Sequence, residues 1–110
     1  MRKKLLIYDC EIAKCIPTQY EPVEPALEYC EGWKDFEGMG ISVIGCWTSW
    51  DDTTQIFNYL TLDKFQSLID QSDEIVGFNS IGFDDQLMKA YGVNITTTYD
   101  LLQEIWVAAI

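Results

Sequence analysis

The chain contains no histidine, and that absence removes more chemistry than any other feature of its composition. Without imidazole there is no Ser-His-Asp or Cys-His catalytic set and no histidine general base. The four cysteines, Cys10, Cys15, Cys30 and Cys46, include no C-x-x-C spacing. With no such spacing and no histidine to complete a shell, nothing indicates a zinc site, and the thiols are expected to be reduced and structural. Cations are scarce: Arg2, Lys3, Lys4, Lys14, Lys34, Lys64 and Lys89 stand against 18 acids, for a formal charge of -11. Affinity for a phosphate backbone comes mostly from Lys and Arg, so weak nucleic-acid binding is expected of this chain alone. No apolar run approaches the length of a membrane span, and Met1-Arg2-Lys3-Lys4 leads only into a short strand-like segment. The expectation is a cytoplasmic protein with no membrane partner.

What is present is enough for one folded domain over residues 1–110. Apolar residues make up 48% of the chain and aromatics 14%, which places it away from disordered compositions. A first strand is expected over residues 4–10. It is followed by an acidic insertion, about 16–39, carrying Pro17, Pro22 and Pro25 and no sustained period. The insertion's aromatics Tyr20, Tyr29, Trp33 and Phe36 predict that it packs, as a loop over the sheet edge or as a partner-binding arm. Alternation over 40–48 and 53–59 predicts an antiparallel hairpin turning at Asp51-Asp52. Leu62, Phe65, Leu68 and Ile69 recur at helical spacing behind Thr61 as N-cap.

Residues 74–78 then read as a buried strand with Phe78 in the core. Asn79 to Gly82 turn into a helix with Phe83, Leu87, Met88 and Tyr91 on its apolar side, closed by Gly92. Asp84 falls in its first turn, with Asp85 as a solvent-facing neighbour. A short strand over 93–98 and a terminal helix from about Tyr99 complete the pattern, with Leu102, Ile105, Trp106 and Ala109 available for packing. Trp47 and Trp50 are expected to pack as well.

Two acidic signatures carry the chemistry. In Leu5-Leu6-Ile7-Tyr8-Asp9-Cys10-Glu11, the period of two puts Asp9 and Glu11 on one face of a strand otherwise built for burial. Carboxylates so placed repel each other unless a cation lies between them, which points to half of a divalent-metal site. The second signature is Gly77-Phe78-Asn79-Ser80-Ile81-Gly82-Phe83-Asp84. Asn79 is either a turn residue or a substrate-facing amide.

Together the two resemble the DEDD (DnaQ-like) 3'-5' exonucleases. Asp9-Cys10-Glu11 is similar to that family's Asp-x-Glu motif, and Asn79-Ser80-Ile81-Gly82-Phe83-Asp84 to its Asn-x-x-x-Phe-Asp motif. The resemblance implies an α/β, RNase H-like mixed sheet: three antiparallel strands, then parallel ones, with flanking helices. It implies Asp9, Glu11 and Asp84 as catalytic residues and as ligands of Mg²⁺ or Mn²⁺, Asn79 as a substrate contact, and single-stranded DNA or RNA as substrate. In the two-metal chemistry of such enzymes, ions about 3.5–4 Å apart activate water and stabilise the leaving oxygen. Tyr99-Asp100-Leu101-Leu102 is similar to a stretch in which the Asp more often caps a helix than binds metal. The third motif, a Tyr or His four residues before a final Asp, is not found in the sequence. The domain is therefore expected to be truncated before its last helices, with a weak metal site.

Two readings follow. One is a metal-dependent 3'-5' exonuclease domain, incomplete in this chain. The other is a catalytically inactive exonuclease-like acidic protein that binds or inhibits a protein partner, with its surface imitating a nucleic-acid backbone. Apolar sheet surface left uncovered predicts a homodimer, with Trp106 and Ile110 near the contact.

Overall fold

A computed structural model describes residues 2–109; Ile110, expected at a dimer contact, lies outside the described residues. The elements in chain order are β1 (Leu5–Ile12), α1 (Phe36–Met39), β2 (Ile41–Thr48), β3 (Thr53–Phe57), α2 (Leu62–Gln71), β4 (Glu74–Gly77), α3 (Asp84–Ala90), β5 (Tyr99–Asp100) and α4 (Leu101–Ala109). The sheet runs β3-β2-β1-β4-β5. β1, β2 and β3 pair antiparallel, whereas β4 joins β1 and β5 joins β4 in parallel. This is the mixed, helix-flanked sheet of the RNase H-like fold.

Alternation sorts the sheet into two unequal faces. Leu6, Tyr8 and Cys10 of β1 are buried with Ile44 and Cys46 of β2, Phe57 of β3 and Ile75 of β4. Phe65 and Ile69 of α2 and Leu87 and Met88 of α3 complete that core. Phe65 is its centre, with its ring 5.7 Å from Tyr8 and 5.6 Å from Phe57. On the opposite face Leu5, Ile7, Val76 and Tyr99 line a shallow apolar groove. That face carries Asp9 and Glu11, both exposed.

β1 and β4 part early. Their ladder runs Leu5↔Glu74, Leu6↔Ile75, Ile7↔Val76 and stops, while β1 continues against β2 as far as Ile12, with a register shift after Glu11. Past Ile7 the β4-facing edge of β1 is free, and a crevice opens between the carboxyl ends of the two strands. It lies where the chain switches from one side of β1 to the other, the place at which open α/β sheets gather ligands.

Several expectations are corrected. Asp85 is 3% exposed, not solvent-facing. It accepts hydrogen bonds from the Tyr8 hydroxyl at 2.5 Å, the Thr97 amide at 2.7 Å and the Thr97 hydroxyl at 2.8 Å. Residues 93–98 form no strand, although Val93, Ile95 and Thr97 are buried and their neighbours exposed. The chain is extended there, but side chains intercept its polar groups: Gln66 bonds both the amide and the carbonyl of Asn94, and Asp85 takes the Thr97 amide. Only Tyr99 and Asp100 join the sheet.

Phe78 is 58% exposed because β4 ends at Gly77 and Asn79 turns the chain with φ of 56°. α4 buries no residue, and Trp106 is exposed. The insertion closes at its base through the Ala13 and Lys14 amides, which donate to the Met39 carbonyl, and an isolated bridge between Cys15 and Tyr29. Its end packs through Trp33 and Phe36 on Phe83, while Tyr20 and Val23 at its tip are exposed.

The buried Asp85 makes a stability prediction. Asp85→Ala would strand the Tyr8 hydroxyl and the Thr97 amide in the core, at about 1–3 kcal/mol for each orphaned group. Urea unfolding should show a loss of roughly 3 kcal/mol or more, and a smaller loss for Tyr8→Phe, which removes one of three donors. Losses below about 0.5 kcal/mol would mean that Asp85 faces water.

Candidate functional site

The loop between β4 and α3 places Asp84. Ser80 is fully buried, with its Oγ 2.1 Å from where a Cβ on Gly77 would stand, so only glycine fits at the end of β4. Its hydroxyl meets Thr97 Oγ1 at 2.7 Å, and its carbonyl accepts the Asp85 amide at 2.7 Å. Asn79 occupies the left-handed region that Asn tolerates better than most residues. Its carbonyl accepts the Phe83 amide at 3.1 Å, which starts the turn into α3.

Asp100 clamps the same loop. One carboxylate oxygen accepts the Asn79 amide at 2.8 Å and the Leu102 amide at 3.0 Å, and the other accepts Ile81 at 3.1 Å. Burial pushes this carboxyl up, but the amides of Ile81, Asn79, Leu102 and Gln103 outweigh it and hold it below the usual range. A carboxylate so occupied caps α4 and ties down the loop; it is not free to complete a metal shell.

Asp84 is 6% exposed, and one of its oxygens accepts the Cys10 amide at 3.2 Å. That amide is available because β4 has already left β1. Burial, the largest cause, pushes the Asp84 carboxyl up from 3.8 to about 6; the Cys10 thiol and amide oppose the rise, and the neighbouring Asp9 charge adds to it. The Cys10 thiol is itself pushed up, first by burial and then by Asp84, Asp9 and Glu11, so it stays protonated and is no nucleophile.

Asp9 and Asp84 are thus brought together in the crevice. Across the ladder Asp9 faces Gly45, where nothing stands within 4 Å of a notional Cβ, so the surface beside the pair is open. Glu11 shares the face of Asp9 one alternation further along. Among the described residues no group of three or more His, Cys, Asp or Glu side chains is gathered closely enough to hold one ion. The donors available are nevertheless the hard oxygens that suit Mg²⁺ or Mn²⁺, and a cation would relieve the repulsion between them. The side chain of Asn79 stays exposed at the rim of the loop.

Sequence reasoning missed the bracing residues Asp85, Thr97 and Ser80. It also missed a small cleft beside Glu11, lined by Cys10, Glu11, Ile12, Ile16, Trp33 and Phe83. Nothing in the irregular insertion signalled that Trp33 would reach the carboxyl end of β1.

No family model matches the chain, and a comparison with curated proteins gives no match. Among solved structures, the family B DNA polymerase from the hyperthermophilic archaeon Pyrobaculum calidifontis is similar to it, with a TM-score of 0.53 and 23% identity over 84% of this chain. The match spans 12% of the polymerase chain. At that identity the likeness establishes a common fold.

The Asp84 shift has a definite sign. The unfolded carboxyl ionises near 3.8 and the folded one near 6, so between those values the folded state binds more protons and stability falls as pH rises. At about 1.4 kcal/mol per unit the full effect is on the order of 3 kcal/mol. Without divalent ions, Asp84→Asn should therefore be more stable than wild type at pH 7.5, with the gap closing below pH 4. Urea unfolding at both values measures it; a gap that does not change with pH would remove the shift.

Proposed function

We propose that this chain is a metal-dependent 3'-5' exonuclease-like domain acting on single-stranded DNA or RNA ends. The observation that carries the reading is the Asp9–Asp84 pair: a buried, proton-retaining carboxyl set against a second carboxyl, in the crevice where β1 and β4 part. Such an arrangement is unfavourable in the empty fold, as sites built to hold a cation are. Asp9, Glu11 and Asp84 would hold Mg²⁺ or Mn²⁺. A bound divalent ion would supply activation of the attacking water and neutralisation of the leaving oxygen.

The chain's own residues do the rest. The Cys10 amide orients Asp84, and Asp100 and Asp85 hold the loop so that the carboxyl cannot swing away from Asp9. Asn79, with its backbone tied to Asp100 and its amide side chain exposed, is placed to contact a strand end. Three carboxylates fall one short of the four of the exonuclease pattern, so metal affinity is expected in the high micromolar to millimolar range, on the order of weak carboxylate sites.

A second reading has its own support. No ligand cluster of three is gathered among the described residues, and the charge is -11; both suit an acidic protein that occupies another protein's nucleic-acid groove. The same experiments separate the two. Calorimetry with Mn²⁺ should give heat with wild type and none with Asp9→Asn. In Mn²⁺ and low salt, a 5'-labelled single strand should shorten from its 3' end, slowly at most, with no shortening by Asp84→Ala. Equal heats from both proteins, together with an intact strand, would replace the exonuclease reading with the acidic-binder one.

A further inference from the structure

We propose that two copies of this chain associate by reciprocal docking, with α4 of each copy seated in the apolar groove on the open face of the other copy's sheet. The proposal is independent of the exonuclease reading and concerns the other end of the sheet. Two surfaces that the fold leaves uncovered carry it. The first is the groove. Ladder register sets Trp47, Ile7, Val76 and Tyr99 in one row across β2, β1, β4 and β5. Ile7 is 40% exposed and Tyr99 45%, so the row is an open apolar strip across most of the sheet. Lys3 and Leu5 extend it, because they line both the groove of about 420 Å³ over Ile7 and Tyr99 and a larger cavity of about 730 Å³ that reaches Trp47 and Trp50.

The second surface is α4 itself. Leu102, Ile105, Trp106 and Ala109 recur at the spacing that makes one stripe of a helix, yet no residue of α4 is buried. Ile105 is 55% exposed and Trp106 60%. A helix of nine residues is shorter than the roughly 12–15 residues below which isolated helices are marginal in water. It therefore needs a surface to pack on, and its own sheet does not supply one.

Charge selects the occupant of the groove. A chain of net charge -11 repels its own copies over most of its surface. The groove rim is the exception: Arg2, Lys3 and Lys4, three of the seven cations, line it, and its one acid, Glu74, is paired with Lys3 at 3.0 Å. α4 carries Glu104 as its only charge. An apolar helix with an acid thus meets an apolar groove with a basic rim. Further along the same face Asp9 and Glu11 are exposed, which confines apolar docking to the amino end of β1. α4 also follows directly on β5, whose Tyr99 forms one edge of the groove. A two-fold axis beside β5 would let each helix reach the other groove, and one self-complementary contact would cover both surfaces in both copies.

Sedimentation equilibrium on the metal-free protein tests this. Wild type should dimerise with a dissociation constant on the order of micromolar. Trp106→Gln and Ile7→Gln should each weaken the dimer about 10-fold or more, with circular dichroism unchanged; if Ile7→Gln does not fold, Tyr99→Gln takes its place. The decisive sample is an equimolar mixture of the helix variant and the groove variant. There the intact helix of one meets the intact groove of the other, so the mixture should associate more tightly than either variant alone. A dimer built helix on helix, or sheet on sheet, gains nothing from mixing. A mixture no better than its components, a dimer indifferent to both substitutions, or a wild type that is monomeric at about 100 µM would overturn the proposal.

Discussion

Two buried carboxylates without a cationic partner, Asp85 and Asp100, fix where Asp84 can be. Each is satisfied by hydrogen-bond donors alone: Asp85 by Tyr8 and Thr97, Asp100 by the amides of Asn79, Ile81 and Leu102. Through Tyr8 the first ties α3 to β1. Through its own position in β5 the second ties the loop to the far edge of the sheet. Unpaired buried charges are expensive, but carboxylates that accept several N–H or O–H donors are stable in place and hold their neighbours in place. The loop with its left-handed Asn79 is thus anchored at both ends, and the only freedom left to Asp84 is the crevice facing Asp9.

This anchoring explains how three acids around one short loop can act in two opposite senses. Asp85 and Asp100 lower the energy of the fold by being surrounded with donors. Asp84 has one backbone donor, a buried position and a carboxylate neighbour, and it holds its proton to about pH 6. Adjacent residues in sequence, Asp84 and Asp85, therefore do different work because α3 turns one toward β1's free edge and the other toward Thr97.

How much of this could be read from the chain follows from how local each interaction is. The shared face of Asp9 and Glu11 depends only on the two-residue period of a strand, and it was legible. So was the helix that carries Asp84 in its first turn, from the Asn79 to Gly82 turn ahead of it. The role of Asp85 was not, because its partners lie 77 and 12 residues away and nothing in Asp-Asp says which carboxylate faces inward. Residues 93–98 have a strand's alternation without a strand's ladder; burial sets the alternation, whereas the ladder depends on whether neighbouring backbone or side chains reach the amides first. Phe78 was misplaced because hydrophobicity does not reveal that a positive φ at the next residue will end the strand. The route of the insertion, which brings Trp33 against Phe83, has no periodic trace at all.

The charge of the molecule constrains how any site on it could work. A polyanion approaching a surface with 18 acids and seven cations gains little from counterion release and meets net repulsion beyond the reach of screening. On the proposed reading, binding would then depend on a divalent ion that reverses the local sign at Asp9 and Asp84. A phosphate is repelled by bare carboxylates, and an ion held by few ligands binds weakly without the phosphate as a further oxygen donor. Strand and ion would therefore bind cooperatively, each raising the affinity for the other by the same factor, as linkage requires.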